Sequence, residues 1–451
     1  MKVLLISSNI AGTPYPVYPL GLSMVSQALQ NAGNEVHLFD FLEKKMSLDA
    51  LSEKIKKISP EIIGISIRNI DNVNLLNEQR YIDVVKKIVQ KIKLHTDVKI
   101  VLGGAGFSIM PEIILSEVGA DYGVVGEGES TMVKLVSNAQ HGIYPEQKCL
   151  KAPLTLSGSR IPSADYTPYL MDFYKKSGNV TPIQTKRGCR HKCIYCSYPV
   201  LEGSTIRCRH PKDVVDDIRL LVEKHGVNYI FFIDSVFNDD QGHYIDLIRE
   251  MKKRDVNVPW TAFFTPEHID DQYIIMMKQT GLTTAEIGAD ASTDTTLKKL
   301  GKSFLFKDII DFNDRFNEHG IATAHFYMFG SPGETKETVL QGIENIKSLQ
   351  KTVSFMFMGI RILPDTPLAG IAQKEGIISK TGNLLEPVYY IAPGLDKKWL
   401  EKTLTNGFSD ARNCIFPPDA LDSSLQFLHK LGYSGSMWDM LLADKRKRKK
   451  L

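Results

Sequence analysis

The sequence predicts an α/β protein in which a parallel, doubly wound sheet is followed by a partial barrel. Two observations support this prediction. Short apolar runs alternate with amphipathic stretches in the first third of the chain, and a second alternation of six repeats begins at Thr181. The 451 residues suit two or three domains, and 43% hydrophobic with 24% charged residues is typical of a globular protein.

Apolar runs in the first third predict the strands of the first sheet. The predicted strands are 2–7, 35–41, 62–67, 99–104 and 122–129. Helical stretches lie between them, such as the one over 20–32 that ends at Gly33. Parallel strands joined by helices form a Rossmann-like sheet, whose ligands bind at the carboxyl ends of the strands.

The ends of these strands carry small, polar and glycine-rich residues, which allow a large ligand to approach the backbone. The candidate ligand-binding residues are Ser8, Ser66, Arg68, Asn69, Gly103, Gly104, Gly106, Gly126, Glu127 and Gly128. No G-x-G-x-x-G motif follows the first strand, and this argues against a dinucleotide.

The same patterns divide the chain into four segments. They are a Rossmann-like domain over 1–140, a linker rich in proline and glycine over 141–180, a (β/α)6 partial barrel over 181–370, and an α-rich cap with a basic tail over 371–451. The predicted barrel strands are 181–187, 228–234, 260–265, 284–290, 322–330 and 354–362. Active groups of such barrels lie at the carboxyl ends of the strands.

Three of the six cysteines stand together after the first predicted barrel strand. Cys189, Cys193 and Cys196 have the spacing C-x3-C-x2-C within TKRGCRHKCIYCSY. Thiolates at such spacing bind zinc or an iron–sulfur cluster. Clustered cysteines without a disulfide pattern indicate a metal or redox site, and we expect a reducing cytoplasm.

A zinc site is the alternative interpretation of these three cysteines. A structural zinc needs four protein ligands, and Cys208, His191 and His210 are close in sequence. Three thiolates on a four-iron cluster instead leave one iron open to bind and activate a ligand. The position of the loop at the mouth of a predicted barrel favours the cluster.

With these residues in view, the barrel segment resembles the radical S-adenosylmethionine (radical SAM) enzymes. The cysteine motif carries Tyr195 before its last cysteine, and three later segments resemble family motifs in the right order. These segments are EIGADASTDTTLKKLGKSF, FYMFGSPGETKETV and RILPDTPLA. The resemblance implies that Asp290 and Ser292 line the SAM ribose, that Asp234 and Ser235 lie near the SAM ammonium, and that the three cysteines hold a [4Fe–4S] cluster.

The first domain resembles the cobalamin-binding domain that precedes many radical SAM barrels. GGAGFS and GADYGVVGEGE look like the closing half of that domain. The histidine motif Asp-x-His-x-x-Gly is absent, so we expect the 66–69 stretch beneath the corrin and no strong protein ligand to cobalt. The whole chain is therefore similar to the class B, cobalamin-binding radical SAM methyltransferases.

The resemblance implies the reaction. Reductive cleavage of SAM gives a 5′-deoxyadenosyl radical, and methylcobalamin delivers a methyl group to an unactivated substrate carbon. A cyclisation or rearrangement without methylation is an alternative. A cobalamin-binding sensor or carrier with a structural cluster is an alternative of another class. An electron donor such as flavodoxin or ferredoxin is implied as a partner.

Aromatic and methionine residues on the barrel strands predict a small-molecule or lipid-like substrate. The candidate substrate residues at strand ends are His325, Arg361, Tyr389 and Tyr390. We expect no transmembrane segment, no nucleic-acid partner and a monomer, and we interpret the basic run 445–450 as a solvated end.

Overall fold

The computed structural model describes residues 1–152, 156–380 and 382–442. The strands of the first sheet are β1 (Lys2–Ser7), β2 (Glu35–Asp40), β3 (Ile62–Ser66), β4 (Lys99–Gly103), β5 (Tyr122–Val125) and β6 (Cys149–Lys151). Its helices are α1 (Leu20–Asn31), α2 (Leu48–Ile58), α3 (Ile82–Lys93), α4 (Ala105–Ile109), α5 (Pro111–Val118) and α6 (Gly128–Ala139). The strands are all parallel, in the order β2-β1-β3-β4-β5-β6.

Continuous apolar runs explain the central strands, because helices cover both faces of a parallel sheet. In β1, the residues from Val3 to Ser7 are all buried, and Val3 pairs with Val36 on β2 and with Ile62 on β3. Local signals set the helix ends. The Ser47 side chain accepts a hydrogen bond from the Ala50 N–H at the start of α2, for example.

The predicted linker over 141–180 differs from the structure. Its residues 149–151 form β6, which pairs with β5 at the edge of the first sheet. Further on, α7 (Pro168–Lys176) brings the Tyr174 hydroxyl within 2.9 Å of Asp40 Oδ2 at the end of β2. A strand of three residues is too short to show periodicity, so the sequence pattern missed it. The boundaries at 140 and 180 stay predictions.

The second sheet is the predicted partial barrel. The strands after α7 are β7 (Thr181–Ile183), β8 (Lys186–Arg187), β9 (Arg207–Cys208), β10 (Ile230–Phe232), β11 (Trp260–Phe264), β12 (Leu282–Asp290), β13 (Ala322–Phe329), β14 (Thr352–Met358), β15 (Ile360–Arg361), β16 (Tyr389–Tyr390) and β17 (Cys414–Ile415). Seven of them form one parallel sheet in the order β7-β10-β11-β12-β13-β14-β17. The six predicted barrel strands are confirmed, and β17 adds a seventh from the region predicted as a cap.

The helices that surround this sheet follow the predicted alternation. They are α8 (Tyr198–Leu201), α9 (Pro211–Arg219), α10 (His243–Lys253), α11 (Asp271–Gln279), α12 (Asp294–Lys299), α13 (Phe306–Glu318), α14 (Lys336–Ser348), α15 (Pro367–Lys374), α16 (Lys397–Phe408), α17 (Asp422–Lys430) and α18 (Trp438–Leu442). No helix in the described ranges is long and apolar enough to cross a bilayer.

The barrel strands divide their side chains between two layers, as the period of two requires. On β13, Tyr327 and Phe329 pack into the main core beneath the helices, whereas Ala324 and Phe326 join a separate apolar cluster inside the barrel. Trp438 of α18 belongs to the same interior cluster. The C-terminal segment therefore contributes to the barrel interior as well as to its outside.

The C-terminal segment reaches the interior at the end of the barrel where the strands begin. The Gly435 N–H donates to the Gly178 carbonyl ahead of β7, at 3.2 Å. The Ser436 hydroxyl lies 3.2 Å from the hydroxyl of Tyr229, the residue before β10. From there α18 runs along β12, β13 and β14. The opposite end, where the strands finish, stays available for the site.

Candidate functional site

The cysteine loop leaves the barrel from a two-stranded ribbon. β8 pairs with β9 in antiparallel fashion, so the two ends of the intervening loop meet. Gly188 has a φ of +95°, and a Cβ there would lie 2.1 Å from the Thr205 carbonyl oxygen. The Cys189 N–H donates to the Gly203 carbonyl at 3.1 Å, and the Cys196 N–H donates to the Cys193 carbonyl at 3.2 Å. Backbone contacts therefore fix the loop that carries the three thiols.

The three thiols fit an iron–sulfur cluster better than a single ion. All three are free and partly buried. Burial, together with the neighbouring Cys193 and Cys189, raises the pKa of Cys196 to about 12. Among the residues the structure describes, no three His, Cys, Asp or Glu side chains converge on one metal ion. A four-iron cluster accepts each thiolate at a separate iron, so its ligands do not converge on one point.

A cationic side chain stands beside these thiols. Lys302 Nζ contacts the Asp290 carboxylate and donates to the Gly288 carbonyl at 3.1 Å. Burial lowers the pKa of Lys302, but Asp290 and Cys193 more than offset that effect and raise it. A buried ammonium group lowers the electrostatic energy of nearby thiolates. Lys302 belongs to the segment EIGADASTDTTLKKLGKSF, whose family resemblance predicted no role for this lysine.

Tyr195 and Asp290 are in contact beside Lys302. The sequence resemblance predicted both as residues of one cofactor site. The Tyr195 hydroxyl donates to Asp290 Oδ2, the oxygen that Lys302 also contacts. Asp290 Oδ1 has no hydrogen-bond partner in the described part of the chain. Asp290 has a φ of +62° at the end of β12, a conformation that is uncommon outside glycine and that clusters at functional sites.

The first domain faces the cysteine loop with its glycine-rich segment. A Cβ on Gly104 would lie 2.6 Å from the Ile67 carbonyl oxygen, and one on Gly106 would lie 3.0 Å from the Asn69 backbone. The glycines therefore let the loops after β3 and β4 pack together. The following helix, α4, contacts α8, which begins two residues after Cys196. The two predicted cofactor loops are neighbours across the domain boundary.

Arg68 lies in a recess between the domains. Its side chain reaches solvent, yet the surrounding protein is close enough for burial to lower the pKa of the guanidinium, and Tyr198 and Tyr15 approach it. On the neighbouring strand, Ser8 Oγ donates to the Ser66 carbonyl at 2.8 Å. The structure thus brings Ser8, Ser66, Arg68 and the glycine loop to one edge of the first sheet.

Glu127 joins the domains instead of facing an open site. Arg187 of β8 lies 3.2 Å from Glu127 Oε2 and 2.6 Å from Glu129 Oε1, and Arg207 of β9 also contacts Glu127. These four side chains are nearly fully buried. The Gly126 N–H donates to Ser108 Oγ at 2.9 Å. The predicted cofactor role of Glu127 is therefore not supported, because its carboxylate is used by two arginines.

Comparison with known families agrees with both domains. The B12 binding domain family matches residues 6–136, and the Radical SAM superfamily matches residues 183–346. The chain belongs to the cobalamin-binding radical SAM enzymes. The cofactors of this enzyme are accordingly cobalamin, a [4Fe–4S] cluster and SAM.

Individual relatives of the enzyme cover most of its length. Tryptophan 2-C-methyltransferase of Streptomyces laurentii is 26% identical over 435 residues, covering 78% of this chain and 72% of its own. Anaerobic magnesium-protoporphyrin IX monomethyl ester cyclase of Rubrivivax gelatinosus is 24% identical over 369 residues, covering 75% and 64%. The radical SAM methyltransferase TsrM of Kitasatospora setae, solved with tryptophan and a SAM analogue, shares the fold with a TM-score of 0.85, 24% identity and 99% of both chains covered.

Two predicted SAM contacts have other roles in the enzyme. Asp234 Oδ1 accepts from the Thr185 N–H at 2.7 Å, and Lys186 Nζ lies 3.4 Å from its other oxygen. Asp234 is thus a buried support for the start of the cysteine loop. Ser292 packs against α14, where a Cβ on Gly342 would lie 2.2 Å from its hydroxyl. Ser235 stays a candidate, because its buried hydroxyl has no partner among the described residues.

His325, predicted as a substrate residue, points away from the barrel interior. It is fully buried in the layer under the helices, with Nε2 3.3 Å from Asn313 Oδ1 of α13 and Nδ1 3.4 Å from the Tyr327 hydroxyl. Burial lowers the pKa of His325 to about 3, so the ring is neutral. The prediction was wrong because the inward positions of β13 are those of Phe326 and Met328.

The other three predicted substrate residues follow a break in the last predicted strand. Gly359 has a φ of +73° and separates β14 from β15. Arg361 then forms a buried ion pair with Asp71 of the first domain, Nε to Oδ2 at 2.8 Å. The Tyr390 hydroxyl donates to Glu375 at 2.6 Å. The Tyr389 hydroxyl is buried without a hydrogen-bond partner in the described chain, beside Asp71. Arg361 and Tyr390 therefore join elements of the fold, whereas Tyr389 stays a candidate.

The barrel interior forms an aromatic chamber that opens toward Asp290. Four phenylalanines contact one another in sequence around it, with ring centroids 5.2, 6.1 and 5.4 Å apart. They are Phe231, Phe263, Phe326 and Phe355. Trp438 closes the series, 4.8 Å from Phe355. One carboxyl group, that of Glu286, lies among them. The sequence predicted the apolar lining, but it did not single out Glu286.

Proposed function

We propose that this enzyme methylates an unactivated carbon of a small organic substrate. The observation that supports this proposal is the contact between α4 and α8, which puts the cobalamin-binding edge of the first sheet beside the cysteine loop. The cysteine loop in turn lies beside Asp290 at the end of β12, since Tyr195 contacts that carboxylate. One substrate in the chamber can therefore meet groups from both domains.

The residues divide the work of the reaction. When bound, the cluster and SAM supply a 5′-deoxyadenosyl radical, and cobalamin supplies a methyl group. Cys189, Cys193 and Cys196 hold the cluster and leave one iron for SAM. Asp290 Oδ1 accepts a hydrogen bond from a ribose hydroxyl, while Lys302 and Tyr195 fix the other oxygen.

The first domain orients the corrin. Arg68 and Asn69 would hold the corrin at the end of β3, and no histidine ligand to cobalt is expected there. The small residues Ser8, Ser66, Gly103 and Gly104 line the approach of its side chains. The Arg68 side chain is exposed at this edge and would place a positive charge beside a bound corrin.

The chamber determines what kind of substrate reacts. Its phenylalanine lining excludes water from the reacting carbon, which protects a radical from side reactions. The relatives named for methyl transfer to tryptophan and for a porphyrin ester cyclisation both act on ring compounds. A ring-forming reaction without methyl transfer is the second candidate, because the cyclase relative covers 75% of this chain.

The test uses SAM carrying a deuterated methyl group. The reconstituted enzyme is incubated with dithionite, cobalamin and a metabolite extract, and products are read by mass spectrometry. Methyl transfer predicts a product heavier by one labelled methyl group together with S-adenosylhomocysteine. Cyclisation predicts 5′-deoxyadenosine without label in the product. Formation of neither, with an intact cluster spectrum, would support the sensor or carrier alternative.

Cysteine variants test the cluster. Cys193→Ala should abolish product formation and lose the visible absorption of the cluster, because the open-iron cluster needs all three thiolates. Cys208→Ala is the matched control, since Cys208 is also partly buried and belongs to the neighbouring β9. Cluster loss in the control would mean that Cys208 is a ligand, as the zinc alternative requires.

We further propose a cytoplasmic enzyme that receives electrons from flavodoxin or ferredoxin and acts as a monomer. All six cysteines are free thiols in the structure, which suits a reducing compartment. The cluster loop carries the exposed Arg190, a suitable contact for an acidic electron carrier. Size-exclusion chromatography and reduction rates with each carrier test these points.

A further inference from the structure

Glu286 is the acidic residue at the centre of the aromatic chamber. It lies on β12, where it pairs with Phe263 of β11 and with Ala324 of β13. Asp290 lies four positions further along β12, after an irregularity in the pairing with β13 between Ile287 and Asp290. The exposure of Glu286 is only 3%. A carboxyl group is rarely buried to this degree without full hydrogen bonding.

Only half of this carboxyl group is used by the protein. Oε1 accepts from Trp438 Nε1 at 3.2 Å and lies 3.4 Å from Thr261 Oγ1. Oε2 has no hydrogen bond to any residue that the structure describes. Oε2 is not among the fully buried polar atoms that lack a partner, so it faces open space, where a donor of a ligand can reach it.

A purely structural role explains Glu286 less well. The Trp438 indole N–H needs one acceptor, which a glutamine or a backbone carbonyl supplies without an ionisable group. Burial raises the pKa of Glu286 to about 7, so the side chain is kept close to neutral at some cost. The aromatic rings around it are the surroundings that cause this cost. A hydrogen bond from a ligand to Oε2 offsets this cost of burial.

We propose that Glu286 is the polar anchor of the substrate chamber and that it selects a flat aromatic substrate carrying an N–H or O–H donor. The proposal deepens the proposed function, on which it rests, by naming the substrate class. The ring of the substrate packs edge-to-face or offset against the phenylalanines, and its donor points to Oε2. Glu286 thereby sets which ring atom turns toward Asp290 and the cysteine loop.

Tyr15 extends the anchor toward the first domain. Burial raises the pKa of Tyr15, the charge of Glu286 raises it further and Arg68 lowers it, so the Tyr15 hydroxyl is within electrostatic reach of both residues. The Tyr15 hydroxyl has no hydrogen bond in the described chain. A substrate held by Glu286 therefore lies next to the domain that binds cobalamin.

The experiment compares two probes of nearly identical shape. Indole carries an N–H donor and benzofuran has an ether oxygen in its place. Their affinities for the reconstituted holoenzyme are measured by calorimetry without SAM. Wild type should bind indole about 10-fold more tightly than benzofuran, the effect of one hydrogen bond to a buried acceptor. Equal affinity, or no binding of either probe at millimolar concentration, would overturn the proposal.

Glu286→Gln tests the anchor with little change of shape. Its amide oxygen must stay with the Trp438 N–H donor, so its NH2 group faces the chamber and the preference for indole disappears. Glu286→Leu should abolish the preference as well. Glu334→Gln is the matched control, because Glu334 is a second buried carboxyl that binds the Gly330 and Ser331 N–H groups at a turn instead.

The outcomes separate the two proposals. If Glu286→Gln keeps the preference for indole and its cluster spectrum is intact, Glu286 is not the anchor, whatever the reaction is. If the preference disappears but no labelled methyl group is ever transferred, the anchor stands and methyl transfer is wrong. Circular dichroism of each variant confirms folding, and Glu286→Gln provides the test if Glu286→Leu fails to fold.

Discussion

The two faces of the barrel strands handle buried polar groups in opposite ways. On the helix side, His325 contacts Asn313 and Tyr327 with its two ring nitrogens. On the inner side, Glu286 leaves one carboxylate oxygen without a partner among the described residues. Both residues are buried to a similar degree. Burial alone therefore does not identify a functional group, whereas an unmet hydrogen bond beside an open chamber does.

The largest effect is expected from a substitution of Lys302, which contacts Asp290 at the end of β12. Lys302→Met removes the cation between Asp290 and Cys193, so we expect 5′-deoxyadenosine formation to fall by about 100-fold or more. Chromatography of the reaction mixture measures it. Lys299→Met, an exposed lysine on α12, should have the wild-type rate. An unchanged rate in Lys302→Met would remove Lys302 from the site.

The next prediction concerns stability and pH. Glu286 has a pKa of about 7 in the folded enzyme against 4.5 ordinarily, so between these values the unfolded chain alone releases its proton. Stability should fall as pH rises through this window, by up to about 3 kcal/mol, and level off above it. Glu286→Gln should remove this part of the fall, as seen in urea midpoints at about pH 5 and pH 8.

Glu334 is the control for that measurement. Its pKa is also raised to about 7 by burial, so it contributes a fall of the same sign. Glu334→Gln removes its own contribution and leaves that of Glu286. If the stability of Glu286→Gln depends on pH as that of wild type does, the pKa of Glu286 is not raised by folding. The inner face then buries its polar group at no more cost than the helix side does.

The smallest effect is expected on the outer face. His325→Leu leaves the buried Tyr327 hydroxyl without its partner, so the free energy of unfolding should fall by about 1–3 kcal/mol. The rate per folded molecule should not change, because His325 does not face the chamber. Thermal unfolding and product formation measure the two quantities. A loss of activity without a loss of stability would restore His325 as a substrate residue.

The sequence was sufficient for features that depend on short-range patterns. Apolar runs located the central strands, and the spacing of Cys189, Cys193 and Cys196 indicated the cluster. Asp290 and Tyr195 meet beside that loop. These features are predictable because strand burial and ligand spacing are both written in a few consecutive residues.

The features that the sequence did not predict depend on the face of the strand from which a side chain projects, or on contacts between residues far apart in the sequence. The position of His325 depends on which face of β13 its side chain occupies. Both faces of this strand are apolar, so the sequence pattern does not distinguish them. Arg361 was misplaced because Gly359 breaks the strand before it. Glu286 had one available signal, an acid between Ala285 and Ile287 within an apolar strand, but its partner Trp438 lies 152 residues away.

The arginine–glutamate pairs between the domains have a consequence for how the enzyme matures. Arg187 and Arg207 stand at the base of the cysteine loop, and Glu127 and Glu129 belong to the corrin-facing edge of the first domain. Opening this boundary wide enough to admit a corrin breaks all three ion pairs together and returns their charges to water. Corrin entry should therefore be slow once the chain has folded, and a synthesis order in which cobalamin arrives before the domains close gives the fastest loading.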